Sequence, residues 1–212
     1  MNSIFLAQLL TVAVVHLFAV MSPGPDFAVV TRNSLIYSRK IGIYTSVGIA
    51  LGIMVHVGYS LLGIGFLIAK SIVLFNIIKF VGAGYLIYIG YMSLKAKPKV
   101  QSGELAAVSL QTITPWQSIK VGFLTNALNP KATLFFLALF TQVINPATPK
   151  LIQFIYGIEM MVITFVWFSV LSLVFSNSMI RKRITGVQHY VERITGVVLI
   201  ALGIKVALAT QK

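Results

Sequence analysis

Long apolar runs separated by short polar connections dominate the chain. The runs are Asn2 to Pro25, Ile41 to Ala69, Ser71 to Leu94, Val121 to Val143, Leu151 to Ile180 and Ile194 to Ala209. Each run is about long enough to cross a hydrocarbon layer of ~30 Å as an α-helix. The roughly ten-residue alternating segments of a transmembrane β-barrel are not visible. The pattern predicts an all-α integral membrane protein with six transmembrane helices.

The composition agrees with this class, since 58% of the residues are hydrophobic, 10% are charged and the mean hydropathy is +0.92. The first run has no basic residues before it, and Phe18 to Met21 offers no small-x-small cleavage site, so we expect a retained helix rather than a signal peptide. The chain has no cysteine, which excludes disulfides, thiolate metal sites and CxxC redox chemistry.

The net charge of the chain is +13. Its basic residues lie mainly in alternate connections between the runs rather than along one soluble face, which argues against a nucleic-acid partner. Three alternate connections hold Arg32, Arg39, Lys40, Lys95, Lys97, Lys99, Lys120, Arg181, Lys182 and Arg183. The other two hold only Lys70 and Lys150. The positive-inside rule therefore predicts that both termini lie outside the cytoplasm.

A polar segment from Lys95 to Gln117 divides the single transmembrane domain, 1–212, into halves of about 1–94 and 118–212. We expect the segment to be a cytoplasmic linker, with three helices in each half. Because three is odd, halves that share a fold are inserted with opposite orientation. The sequence thus predicts two inverted three-helix repeats.

Each half contains a proline inside its opening apolar run. The first stretch is MSPGPDFAVV, from Met21 to Val30, and the second is TNALNPKATL, from Thr125 to Leu134. Proline leaves the carbonyl about four residues upstream without its donor, and such backbone is tolerated in a membrane where it is buried in protein or lines a cavity. We therefore predict that helices 1 and 4 are broken at Pro25 and Pro130. A plain proline kink is the alternative, but paired breaks are typical of a transporter binding site.

Several motifs occur in order along nearly the whole chain. They are SPGPD at Ser22 to Asp26, GIALG at Gly48 to Gly52, GAGYLIYIGY at Gly82 to Tyr91, NPKA at Asn129 to Ala132 and a TG...LG pattern from Thr195 to Gly203. Together they resemble the lysine-exporter superfamily, in its homoserine/threonine-resistance branch, and most closely the threonine-efflux subgroup. The resemblance implies a small inner-membrane protein that exports amino acids and is driven by the proton gradient.

The residues around the two breaks suit an amino-acid zwitterion. The predicted substrate-binding residues are Ser22, Pro23, Gly24, Pro25, Asp26, Asn126, Asn129, Pro130 and Lys131. Helix N-termini after Pro25 and Pro130 favour the substrate carboxylate, and Asp26 favours its ammonium group. Alternatively, Asp26 carries the transported proton or caps a helix that starts at Phe27. Lys131 either pairs with Asp26 across the repeat axis or extends its amine to the membrane interface.

The candidates for proton coupling are Asp26, Glu159 and His56. Glu159 is an acid inside a predicted span, which makes it a functional candidate, although it is equally a structural partner for Lys79. Histidine titrates near neutral pH, so His56 can relay protons, but a lone membrane histidine more often bonds a neighbouring helix. His16 has less claim. Gly48, Gly52, Gly82, Gly84 and Gly90 are expected at close helix contacts.

These observations favour a proton-coupled secondary transporter that exports small neutral amino acids of the threonine or homoserine type. The alternatives are export of another amino acid, such as leucine or lysine, and export of a divalent metal cation. An enzyme or redox carrier is disfavoured because three scattered histidines and no cysteine supply no catalytic or haem-binding set. We expect no cofactor and no bound metal, a homo-oligomer as one option, and a location in the bacterial inner membrane.

Overall fold

The structure is a computed structural model that describes residues 3–70, 72–95, 113–142, 144, 148–175, 190, 193–194, 196–201, 203–204 and 207–208. Within these ranges every regular element is an α-helix. The helices are α1 (Ser3–Met21), α2 (Pro25–Ile36), α3 (Arg39–Lys70), α4 (Ile72–Leu94), α5 (Pro115–Ala127), α6 (Pro130–Gln142) and α7 (Lys150–Phe175). Further helical residues lie between 190 and 208.

Among the described residues, three helices are long and apolar enough to cross a membrane: Ile4–Met21, Arg39–Leu62 and Lys150–Phe175. The pair Pro115–Ala127 and Pro130–Phe140, bent by 56°, makes a fourth if it forms one span. The prediction of an all-α membrane protein is therefore confirmed. Predictions that involve Lys97, Lys99 and residues 181–183 lie outside the described part of the chain.

Both predicted helix breaks are present. α1 ends at Met21 and α2 begins at Pro25, while α5 ends at Ala127 and α6 begins at Pro130. Gly24 caps α2 with extended backbone and no side-chain hydrogen bond. Asp26 is thus the second residue of α2, and the prediction that it caps a helix starting at Phe27 is wrong. Because proline needs no N–H partner at the first helical position, α2 starts at Pro25 itself.

Two predicted boundaries differ from the structure. The first apolar run was expected to end in a connection after Pro25, but α2 continues to Ile36. The second half was expected to begin its helix near Val121, yet α5 starts at Pro115. Thr114 and Gln117 form a reciprocal capping box, with N···O distances of 3.2 and 2.8 Å, which stabilises this earlier start. The last residues of the predicted linker are therefore helical.

The hydrogen bonds between helices fix their relative directions. Lys150 Nζ donates to the Leu61 carbonyl at one end of α7, and Ser172 Oγ donates to the Arg39 carbonyl at the other, so α3 and α7 are antiparallel. Tyr156 bonds the Phe5 carbonyl. His16 Nε2 lies 2.8 Å from the Thr164 hydroxyl, further along both helices. α1 therefore runs parallel to α7.

Close packing of α3 on α5 depends on glycine. A Cβ at Gly48 would collide with the Ile119 carbonyl oxygen, and one at Gly122 would collide with the Thr45 carbonyl oxygen. Gly52 faces the Asn126 side chain. These contacts confirm the predicted packing at Gly48 and Gly52, and they make α3 and α5 parallel.

The predictions for Gly82, Gly84 and Gly90 have different outcomes. Gly90 packs against Gly196, as expected, because each would place a Cβ against the other's carbonyl oxygen. Gly84 is exposed and has no other atom near its Cβ position, so the prediction is wrong there. Gly82 lies outside the described side chains.

Candidate functional site

A small cavity lies where the two helix breaks meet. Its walls come from α1, α2, α3, α5, α6 and α7, and its volume is about 40 Å³, room for a few water molecules. The lining residues are His16, Ala19, Val20, Ser22, Gly24, Asp26, Phe27, Ile53, Asn126, Asn129, Lys131, Ala132, Phe135, Phe136 and Phe168. The cavity thus combines an acid, a base and two amides with an aromatic wall.

Asp26 is held by amides from the other half of the chain. Its Oδ2 accepts from Asn126 Nδ2 at 3.0 Å and from Asn129 Nδ2 at 3.1 Å. Its Oδ1 is buried and has no hydrogen bond. Two donors therefore stabilise negative charge on one oxygen, while the other oxygen is left to accept from a cationic or hydroxyl donor.

Lys131 is held by backbone from the first half. Its Nζ donates to the carbonyl oxygens of Ser22 at 2.8 Å and Pro23 at 3.2 Å, in the segment between α1 and α2. Its backbone N–H donates to Asn129 Oδ1 at 3.0 Å. The amine therefore lies at the first break, and the prediction that it extends to the membrane interface is wrong. Each break is tied to the other by a charged side chain.

Four of the lining residues carry a buried polar atom that makes no hydrogen bond. The atoms are His16 Nδ1, Ser22 Oγ, Asp26 Oδ1 and Asn126 Oδ1. Buried polar groups are costly when they have no partner, and most of them in folded proteins have one. All four residues belong to the wall of one cavity, which is therefore the place in the structure where a polar ligand would find the most hydrogen-bonding groups.

His56 lies behind this cavity and stabilises the second break. Pro130 has no N–H to give to the Asn126 carbonyl four residues upstream. That oxygen accepts instead from the Asn129 backbone N–H at 2.9 Å, and His56 Nε2 also lies 2.9 Å from it. A carbonyl only accepts, so Nε2 carries the proton. Nδ1 lies 2.8 Å from the Tyr59 hydroxyl, whose oxygen is 3.3 Å from the Thr133 carbonyl. His56 on α3 thus bonds a neighbouring helix, which confirms one of the two predictions for it.

Replacing His56 with leucine is expected to destabilise the protein, because the buried Asn126 carbonyl keeps the Asn129 N–H but loses its hydrogen bond to the imidazole. The expected loss is about 0.5 to 1.5 kcal/mol of unfolding free energy, the net contribution of one hydrogen bond. Thermal unfolding of the detergent-solubilised protein measures it, with His56→Gln as the matched control, since glutamine keeps an N–H donor. An equal loss in both variants would contradict a hydrogen-bonding role.

Of the residues predicted for substrate binding, the cavity lining includes Ser22, Gly24, Asp26, Asn126, Asn129 and Lys131. The three prolines Pro23, Pro25 and Pro130 shape the breaks without lining the cavity. Glu159 is half-buried on α7 away from the lining, and its Oε2 is buried without a hydrogen bond. Its predicted partner Lys79 lies outside the described side chains.

The sequence analysis missed most of the aromatic wall and gave His16 little weight. Helical spacing carried the signal: Lys131, Ala132, Phe135 and Phe136 lie on one face of α6, and His16, Ala19 and Val20 on one face of α1. Residues at helical spacing within one or two turns of each break, on the face that carries the break residues, include all of these positions. Ile53 and Phe168, on α3 and α7, have no such link to a break.

Comparison with known proteins gives a family match over most of the chain. The family model described as LysE type translocator matches residues 17–210. The threonine efflux protein of Escherichia coli (strain K12) is 31% identical over 202 residues, which cover 94% of this chain and 97% of the relative. The leucine efflux protein of Klebsiella pneumoniae is 32% identical over 167 residues, 77% of each chain. No solved structure matches the chain.

Proposed function

Because the chain belongs to the LysE type translocator family, and so is a transporter rather than an enzyme, we propose that it exports small neutral amino acids of the threonine or homoserine type. The threonine efflux protein of Escherichia coli, similar over nearly its whole length, supports this substrate class. The apolar helices support a multi-pass location in the inner membrane.

The cavity at the two breaks is the observation that carries the proposal. A free amino acid bears a carboxylate and an ammonium group on adjacent atoms. Asp26 Oδ1 is a buried acceptor without a hydrogen bond, which suits the ammonium group. Lys131 and the N-terminus of α6 suit the carboxylate, as does the hydroxyl of Ser22. A zwitterion would therefore find both partners at one place.

We propose further that the six predicted spans form two inverted repeats. The support comes from the packing of helix pairs. A twofold axis in the membrane plane would exchange α1 with α5 and α7 with α3. Such an axis requires both pairs to pack in the same sense, and α1 is parallel to α7 as α5 is parallel to α3. α3 and α7 pack antiparallel, as equivalent helices must around such an axis. α4 packs antiparallel on the C-terminal helical residues, with Gly90 opposite Gly196 and Ala83 opposite Gly203.

The proposed orientation places both termini outside the cytoplasm. In its support, the N-terminal end of α1 lies near the start of α7, at the end of the bundle that holds Lys150 and Leu61. Arg39, Lys40 and the start of α5 lie at the opposite end, where the positive-inside rule expects the cytoplasm.

Export is proposed to be coupled to protons, with Asp26, Glu159 and His56 as the candidate carriers. Asp26 is favoured because it lines the cavity, so a proton and a substrate ammonium group would compete for the same oxygen. Such competition would let a proton that enters from outside displace an exported substrate. Glu159, half-buried on α7, is the second candidate.

Counterflow in proteoliposomes tests the substrate class. Vesicles loaded with unlabelled amino acid should accumulate labelled threonine and homoserine at least about tenfold above protein-free vesicles, and an imposed proton gradient should increase transport. Labelled leucine and lysine should exchange more weakly. Stronger exchange of leucine or lysine than of threonine would overturn the proposed substrate class, and no exchange of any amino acid would overturn the function.

A further inference from the structure

His16 is the polar residue of the cavity wall that lies farthest from the helix breaks along its own helix. It is fully buried on α1, six residues before Ser22, and its ring lines the cavity. The ring centroid lies 5.7 Å from that of Phe135 and 5.9 Å from that of Phe136. The histidine is therefore a polar ring in a part of the wall where its neighbours are aromatic.

Only one of the two ring nitrogens has a hydrogen bond. Nε2 lies 2.8 Å from the Thr164 hydroxyl on α7, which fixes the orientation of the ring. Nδ1 is buried and has no hydrogen bond. A neutral imidazole has one donor and one acceptor nitrogen, and a hydroxyl group can satisfy either one because it both donates and accepts. A methyl group can satisfy neither.

We propose that His16 recognises the side-chain hydroxyl of the substrate through Nδ1, and that Thr164 positions the ring for this contact. The inference rests on the proposed function and narrows it, since it assigns the zwitterion to the breaks and the side chain to the His16 wall. Aliphatic amino acids of the same shape would bury Nδ1 without a partner. Sites built to bond a hydroxyl reject analogues that lack it, for this reason.

Threonine and valine test the inference because they have the same shape and differ by a hydroxyl in place of a methyl group. In counterflow, the wild-type protein should prefer threonine to valine by at least about tenfold, and His16→Phe, which keeps an aromatic ring, should reduce that ratio about tenfold. His16→Gln, which carries a donor and an acceptor, should restore part of it. Thr164→Val should give an intermediate ratio because it frees the ring to turn.

Phe168→Leu is the matched control, because it alters the shape of the same cavity and removes no polar group. It should change threonine and valine exchange by the same factor. Each variant must elute from size exclusion as the wild type does, and if His16→Phe does not, the His16→Gln and Thr164→Val ratios decide. The inference is overturned if the wild type exchanges threonine and valine equally, or if the threonine-to-valine ratio is unchanged in the His16 variants. Either result would leave the proposed export of threonine in place. Exchange of no amino acid by the wild type overturns the proposed function as well.

Discussion

Asp26→Asn is expected to reduce threonine transport by at least about thirtyfold. The asparagine oxygen can still accept from Asn126 and Asn129, but its NH₂ group then occupies the place of Oδ1 and meets the substrate ammonium with a donor. Removing one partner of a buried charged contact costs about 2 to 5 kcal/mol, and each 1.4 kcal/mol is about tenfold in affinity.

Two transport assays on the same Asp26→Asn vesicles separate the roles proposed for this residue. If Asp26 binds the ammonium group, both substrate counterflow and transport driven by a proton gradient should be lost. Asp26→Glu, which keeps the charge, is the control and should retain part of both. Intact counterflow with loss of gradient-driven transport would contradict the ammonium role and assign Asp26 to the proton alone.

Lys131→Met is expected to raise the substrate concentration at half-maximal rate at least tenfold. Methionine keeps much of the aliphatic stem, which packs near Gly24, and removes the amine that binds the Ser22 and Pro23 carbonyls. The variant therefore loses a partner for the substrate carboxylate and a tie between the two breaks. Lys131→Arg should keep part of the affinity because it keeps the charge, although the guanidinium group has different geometry. An unchanged half-maximal concentration in Lys131→Met would contradict the binding role.

The double variant Asp26→Asn with Lys131→Met tests whether the two side chains act together. Residues that act as a unit give effects that do not add, so the double variant should lose less than the product of the two single losses. Strictly multiplicative losses in transport rate would show that Asp26 and Lys131 act independently. Thermal unfolding of the wild type, the two single variants and the double variant shows whether a loss of transport results from a loss of stability.

The sequence predicted the helix breaks because their cause is local. Pro25 and Pro130 have no N–H wherever they stand, so each kinks or breaks the helix in which it lies. The start of α5 was equally predictable, since Thr114 and Gln117 form a capping box and Pro115 occupies the first helical position. The apolar run alone predicts a later start, near Val121, because the capping residues Thr114 and Gln117 are polar.

The partners of the site residues could not be predicted in the same way. Asp26 was expected to cap its own helix, and instead its Oδ2 accepts from two amides about a hundred residues later in the chain. Its pairing with Lys131 stays a prediction. The Asn126 carbonyl, which cannot bond Pro130, accepts from the nearby Asn129 N–H and also from His56, seventy residues earlier. Such pairs depend on how α3, α5 and α6 pack. Glycines such as Gly48 and Gly122 allow close packing of α3 on α5, but they do not predict which side chains then come into contact.

The sequence by itself determined that this chain is an all-helical membrane protein with two proline breaks, an acid after one and a base after the other. Hydropathy and the missing proline N–H act over a few residues, so they can be read along the chain. Only the tertiary structure decided that both breaks meet at one cavity, that each charge is held by the opposite half, and that His16 joins the wall. Those features arise from contacts between helices far apart in sequence, whose geometry depends on the packing of the whole bundle.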